Sequence, residues 1–285
     1  MLFADWIVTK LGTVAGPKAS RSSVEAIFRR DRWVTISGII LLTVLSWAYL
    51  FGLAAGMDDM AMEGDLMSSV SGLMGPQLST WSVRDFFFMF LMWSVMMVAM
   101  MLPSASPLIL LHVRVNRQQE DGGDGFHGTV AFAIGYLLVW TSFSAVVTLL
   151  QLGLEKLAVL SPMMASTSPL LGAGLLLAAG IYQLTPLKDA CLRHCRSPVH
   201  SLMQHWRRGT SGAFIMGFHH GVYCIGCCWL LMALLFVFGV MNLVWIAVLS
   251  VFVLLEKVAP QGKLVARVAG VGFIVAGVFV LTWTV

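Results

Sequence analysis

Charge is what this chain has least of. Asp, Glu, Lys and Arg make up 11% of its 285 residues, while hydrophobic residues make up 58%. That balance excludes a soluble domain, whose surface needs far more charge, and points to a polytopic membrane protein. Catalytic signatures are missing too. There is no Walker glycine loop, no dinucleotide glycine pattern, no nucleophile elbow and no H-E-x-x-H. A primary pump or a soluble-type hydrolase therefore has no visible machinery, and no catalytic residue is assigned. Cysteines number only five, Cys191, Cys195, Cys224, Cys227 and Cys228. None falls in a segment read as external, so a disulfide scaffold is excluded and ligand, redox or packing roles remain. The start, MLFADWIVTKLG, carries an early acid and no long apolar run, so it does not read as a cleaved signal peptide. Residues 1–33 read as a cytoplasmic tail or an interfacial helix.

What the chain does have is apolar runs, at 34–55, 86–111, 128–152, 169–187, 212–238, 242–257 and 264–283, each near the ~20 residues that a spanning helix needs. The expected fold is an all-α, polytopic membrane helix bundle of seven transmembrane helices in one unit, 34–285. The count falls to six if the fifth and sixth runs merge at Met241 and Asn242. Lysine and arginine then orient the bundle. With the N-terminus inside, sixteen basic residues lie on the inner side and only Arg84 and Lys156 on the outer side. The positive-inside rule makes the N-terminus cytoplasmic and the C-terminus external. The formal charge of +4 then reports topology, with no nucleic-acid partner implied.

The most informative stretch is FIMGFHHGVYCIGCCWLLM, 214–232. A helix turns about 100° per residue, so His220, Cys224 and Cys227 stack on one face, with Met216 beside them and His219, Tyr223 and Cys228 flanking. Imidazole and thiolate are ligands that soft metals choose, Cu(I) and Zn(II) above all. Any one of these residues alone is an ordinary core group. Gly217 and Gly221 form a small-xxx-small pair that admits a neighbouring helix at the same depth.

Other stretches repeat the theme. In FFFMFLMWSVMMVAMMLPSASP, Met92, Met96 and Met100 follow M-x-x-x-M spacing and Met97 with Met101 repeats it one residue round. Pro103 and Pro107 kink or end that helix. The external loop at 56–85 gathers Met57, Met60, Met62, Met67 and Met74 with Asp58, Asp59, Glu63 and Asp65. It reads equally as a cation-attracting mouth or as a solvated acidic loop. The basic cytoplasmic loop at 188–211 offers Cys191, His194, Cys195, His200 and His205. Its spacing is not that of a zinc finger, and an interface-lying basic helix describes its backbone. Glu256 is the one acid embedded in a span, with Lys257 or Lys263 as its expected partner.

Four stretches together, MWSVMMVAMMLPS (92–104), GYLLVW (135–140), AGIYQLTPLKDACLRHCRSP (179–198) and GVYCIGCCWLLMALLFVFGVMNLVWIAVLSVFVLLEK (221–257), resemble a bacterial family of predicted metal-binding integral membrane proteins, otherwise known as a domain of unknown function. The resemblance implies a multi-pass protein of the bacterial inner membrane, with metal ligands drawn from these Met, Cys and His residues.

The leading expectation is a membrane protein that handles copper as Cu(I), with zinc the alternative metal, by transport or delivery. Its partners would be the bilayer, the metal ion, and a metal chaperone or a membrane metalloenzyme. The other classes are a non-transporting accessory or assembly subunit of a membrane metalloenzyme, and a thiol redox protein using Cys224, Cys227 and Cys228. Depth along the helices predicts that Met96 and Met100 face His220, Cys224 and Cys227. The ligands of that one site would pass from thioether outside to imidazole and thiolate inside.

Overall fold

The structure, a computed structural model, describes residues 32–56, 82–119, 125–156, 168–197 and 206–284. The N-terminal tail, the Met- and acid-rich stretch from Met57 to Met74, and His200 and His205 lie outside the described residues. Every described element is an α-helix, as uninterrupted apolar runs with few turn residues require. They are α1 (Arg32–Gly56), α2 (Val83–Gln119), α3 (Gly125–Lys156), α4 (Pro169–Gln183), α5 (Pro186–Arg196), α6 (Gly209–Ala233), α7 (Leu235–Phe238), α8 (Leu243–Val258) and α9 (Gly262–Thr284). Among the described residues five helices are long and apolar enough to cross a membrane: α1, α2, α3, α6 continued through α7, and α9. The pair α4 and α5, bent by 65°, makes a sixth if it is taken as one span. The remaining expected span, α8, has 16 residues. That is about 24 Å at ~1.5 Å per residue, short of the ~30 Å of a hydrocarbon core.

Local chemistry sets the breaks. Thr185 has extended backbone angles, and its hydroxyl accepts from the Lys188 backbone N–H; Pro186 follows at the first helical position. Proline lacks the N–H that α4 needs to continue, so the chain stops and restarts at a new angle. Between α6 and α8, Gly239 takes φ 93°, a conformation that side chains disfavour, and the Asn242 side chain caps α8 by accepting from Trp245 N–H. The fifth and sixth apolar runs are thus separate helices.

One expectation is corrected here. Pro103 and Pro107 do not end their helix, because α2 runs through both to Gln119. The carbonyl that Pro107 leaves unpaired belongs to Pro103, and Ser106 Oγ donates to it at 2.8 Å. A hydroxyl one residue away takes over the lost backbone bond.

Helix α3 packs between α2 and α6, and α9 lies along α4. α8 reaches from α2 to α9, and α5 crosses over α6 towards α8. The closest approach is between α3 and α6: a Cβ at Gly217 would run into the backbone carbonyl of Phe132. The small pair Gly217 and Gly221 therefore meets α3. A buried polar link, Trp93 Nε1 donating to Gln151 Oε1 at 2.7 Å, ties α2 to α3. The core fills the space between α2, α3 and α6 with Met96, Met97, Met100, Met101, Phe132, Tyr136 and Trp140.

Candidate metal centre

Helical spacing on α6 buries His220, Cys224, Cys227 and Cys228 together with Met216, and leaves His219 on the exposed face. The thiols of Cys227 and Cys228 both donate to the backbone carbonyl of Cys224, at 3.1 Å and 2.9 Å. These local bonds to the preceding turn hold both sulfurs beside that of Cys224. The Cys227 thiol also lies beside the thiols of Cys224, Cys228 and Cys195, close enough to interact with each. Cys195 comes from α5, so the cluster of four is assembled from two helices. All five cysteines are free thiols.

Close docking of α5 depends on Gly226, at the centre of the C-I-G-C-C run. A Cβ there would stand 2.9 Å from Cys191 Sγ. Tyr182, at the end of α4, donates its hydroxyl to the Gly226 carbonyl. His194, two residues after Leu192 on the same short helix, stacks on Tyr223 with ring centroids 3.9 Å apart. It also stands 6.4 Å from the His220 ring. The segment expected as a basic loop with an interface-lying helix is helical from Pro186 to Arg196, and that helix packs on α6 at the candidate site.

Three residues that the sequence did not assign to the site complete the surroundings. Lys257 Nζ donates to Cys224 Sγ and to Ser104 Oγ, each at 3.0 Å. The Tyr136 hydroxyl lies 3.1 Å from the Met101 carbonyl and 3.2 Å from Cys224 Sγ, so its single proton can serve either. The available signal was the Glu256–Lys257 doublet, two ionisable residues at the inner end of an apolar run. The expected partner of Glu256 is corrected. Its carboxylate takes Lys188 Nζ on both oxygens at 2.9 Å, with Gln183 Nε2 also at 2.9 Å. Consecutive helical residues point about 100° apart, so Glu256 and Lys257 cannot share one partner direction. Lys263 pairs with Asp189 at 3.7 Å instead.

Met92, Met96, Met97, Met100 and Met101 are all buried, so the thioether stripe does not face lipid. α2 contacts α3 and α8. Tyr136 of α3 and Lys257 of α8 are the side chains that connect the inner end of the stripe to Cys224. Beyond the thiols runs a stack of rings. His220 faces Tyr136 at 5.7 Å and Phe132 at 6.4 Å, and His112 lies 4.9 Å from Phe132 and 5.6 Å from Trp206. His112 is wholly buried. Among the described residues neither of its ring nitrogens has a hydrogen-bond partner, nor has His220 Nδ1.

The donor set can be tested against a metal. Among the described residues no group of three or more His, Cys, Asp or Glu has the arrangement of a metal site. A soft monovalent ion asks for less, since a pair of thiolates suffices, and this cluster is all sulfur with its nearest carboxylate already engaged by Lys188.

Residues 90–280 match the model of one protein family, PpoB2, described as a copper chaperone. No curated protein and no solved structure matches the chain.

Proposed function

The chain belongs to the PpoB2 copper chaperone family, and from that premise we propose that it is an integral membrane protein that holds Cu(I) on the thiols of α5 and α6 and delivers it to a partner, such as a membrane metalloenzyme. The single observation that carries this reading is that α5 brings Cys195 beside the buried Cys224, Cys227 and Cys228 of α6. Four thiols are more than packing needs, and sulfur without carboxylate suits Cu(I) rather than a hard cation. When bound, the metal would be cargo, gripped by thiolates whose charge a cation in a low-dielectric interior requires. The buried methionines of α2 are its approach: neutral thioethers hold Cu(I) loosely and pass it on. His220, with an unpartnered ring nitrogen beside the cluster, is an intermediate donor.

The same reading gives the bundle seven spans, α8 included, with the N-terminus in the cytoplasm of a bacterium and the C-terminus outside. Short α8 is compatible with a span because it packs against α2, α5 and α9.

The test is metal analysis of protein purified after loading with Cu(I) under reducing, oxygen-free conditions. The wild type is expected to retain Cu(I) stoichiometrically. Cys224→Ser and Cys227→Ser should each abolish that retention, while Met96→Leu or Met100→Leu should slow loading and leave the final content nearly intact. Cysteine variants that keep full copper content would sink the proposal.

A further inference from the structure

The candidate centre contains a cation of its own. Lys257 is buried, and its ammonium has two hydrogen-bond acceptors, the neutral Ser104 hydroxyl and the sulfur of Cys224. The carboxylate that would ordinarily pair with it, that of its neighbour Glu256, is held on both oxygens by Lys188 and by Gln183. Lys188 and Glu256 cancel one another. Lys257 is therefore left as one positive charge whose counter-charge has to come from the thiol cluster.

We infer that Lys257 is the residue that selects a monovalent metal at this site, by fixing the net charge that the loaded cluster has to carry. This rests on the thiol reading proposed above. Two cysteines bind a metal as thiolates, one already the counter-charge of Lys257 and the other losing its proton to water, and together they contribute two negative charges. With a monovalent ion such as Cu(I) and the ammonium of Lys257 the sum is zero. With a divalent ion such as Zn(II) the same pair and the same ammonium leave one uncompensated positive charge, in a place where such a charge is costly. A third thiolate would remove that charge. Among the described residues, however, no three such ligands are arranged for a metal, so the divalent ion has to reorganise the cluster first. The ammonium also stands within hydrogen-bond distance of Cys224, and a thiolate that accepts from it keeps a fixed orientation as metal arrives.

Lys257→Met and Lys257→Arg, each in the full chain in detergent, separate charge from packing. Cu(I) affinity is read by competition with a colorimetric Cu(I) chelator, and selectivity by the metal content after loading with Cu(I) and Zn(II) together. Lys257→Met is expected to weaken Cu(I) by at least about tenfold and to raise the share of Zn(II); Lys257→Arg is expected to stay close to the wild type in both. A methionine variant with wild-type Cu(I) affinity and wild-type discrimination overturns the inference. A wild type that takes up no Cu(I) at all removes the thiol reading, and this one with it. Thermal unfolding of the metal-free protein adds a check that does not depend on metal. Cys224→Ser strands the ammonium and lowers the unfolding midpoint, and adding Lys257→Met should restore part of the loss. A double variant no more stable than Cys224→Ser overturns the pairing.

Discussion

Neighbouring residues on α8 face opposite tasks. Glu256 looks towards α4 and α5, where Lys188 and Gln183 satisfy it, while Lys257 looks towards α2 and α6. Both members of the Lys188–Glu256 pair are about 1% exposed, so the pair is a structural tie whose worth lies in being complete. Removing one partner of such a pair leaves a buried charge and costs about 3–5 kcal/mol, whereas replacing both is often close to neutral. Lys188→Met is therefore expected to lower the thermal midpoint sharply, and Lys188→Met with Glu256→Gln to recover most of the loss. Equal losses in the single and double variants, measured by unfolding in detergent, would contradict this account.

Short α5 is the element on which the site depends. It is attached at its start by Lys188 to Glu256 and at its end by Arg196, whose guanidinium donates to the carbonyls of Ala259 and Pro260 at 2.8 Å and 2.7 Å. Between these two anchors it lowers Cys191 onto Gly226 and Cys195 onto Cys227. Two glycines of α6 carry different penalties. A Cβ at Gly226 meets the end of a side chain, Cys191 Sγ, whereas a Cβ at Gly217 meets the backbone of α3. Gly226→Ala should be tolerated, because Cys191 can turn aside. Gly217→Ala has no such relief and should cost about 1–3 kcal/mol through overpacking. Gly226→Leu is too large for the gap and should lift α5. The readouts are faster reaction of Cys195 with a thiol reagent and a copper content as low as that of Cys195→Ser. An unchanged Cys195 reactivity in Gly226→Leu would show that α5 is not held this way.

For the whole molecule, the tertiary structure reduces the basic asymmetry slightly without removing it. Two of the sixteen inner-side basic residues, Lys188 and Lys257, are buried in the interior and report packing. Fourteen remain against two, still a strong bias towards a cytoplasmic N-terminus. With that orientation Cys191 and Cys195 sit towards the cytoplasmic side. A membrane-impermeant thiol reagent should then label Cys191 in inverted vesicles and not in whole cells, in a variant that retains it as the only cysteine. Labelling from outside would reverse the proposed topology.

Sequence alone determined the helical class, most of the long apolar helices and the shared buried face of His220, Cys224 and Cys227. Those properties are local. Long apolar runs have one stable backbone solution in lipid, and 3.6-residue periodicity puts His220, Cys224 and Cys227 on one face without any knowledge of neighbours. Even the break at Asn242 and the bend at Pro186 are written in capping and proline chemistry. What the sequence does not contain is direction between elements. Whether Glu256 takes Lys257, Lys263 or Lys188 depends on which helix crosses α8, and only the tertiary structure brings Lys188 there. Pro103 and Pro107 read as a kink or a helix end, and only the folded helix shows that it runs through both, with Ser106 satisfying the freed carbonyl. Cys195 joins the α6 thiols, and Tyr136 and Lys257 come between Cys224 and the methionines of α2, because α3 packs between α2 and α6 and α5 folds back over α6. Packing of this kind is a sum over many distant contacts, so it becomes visible only once the chain has folded.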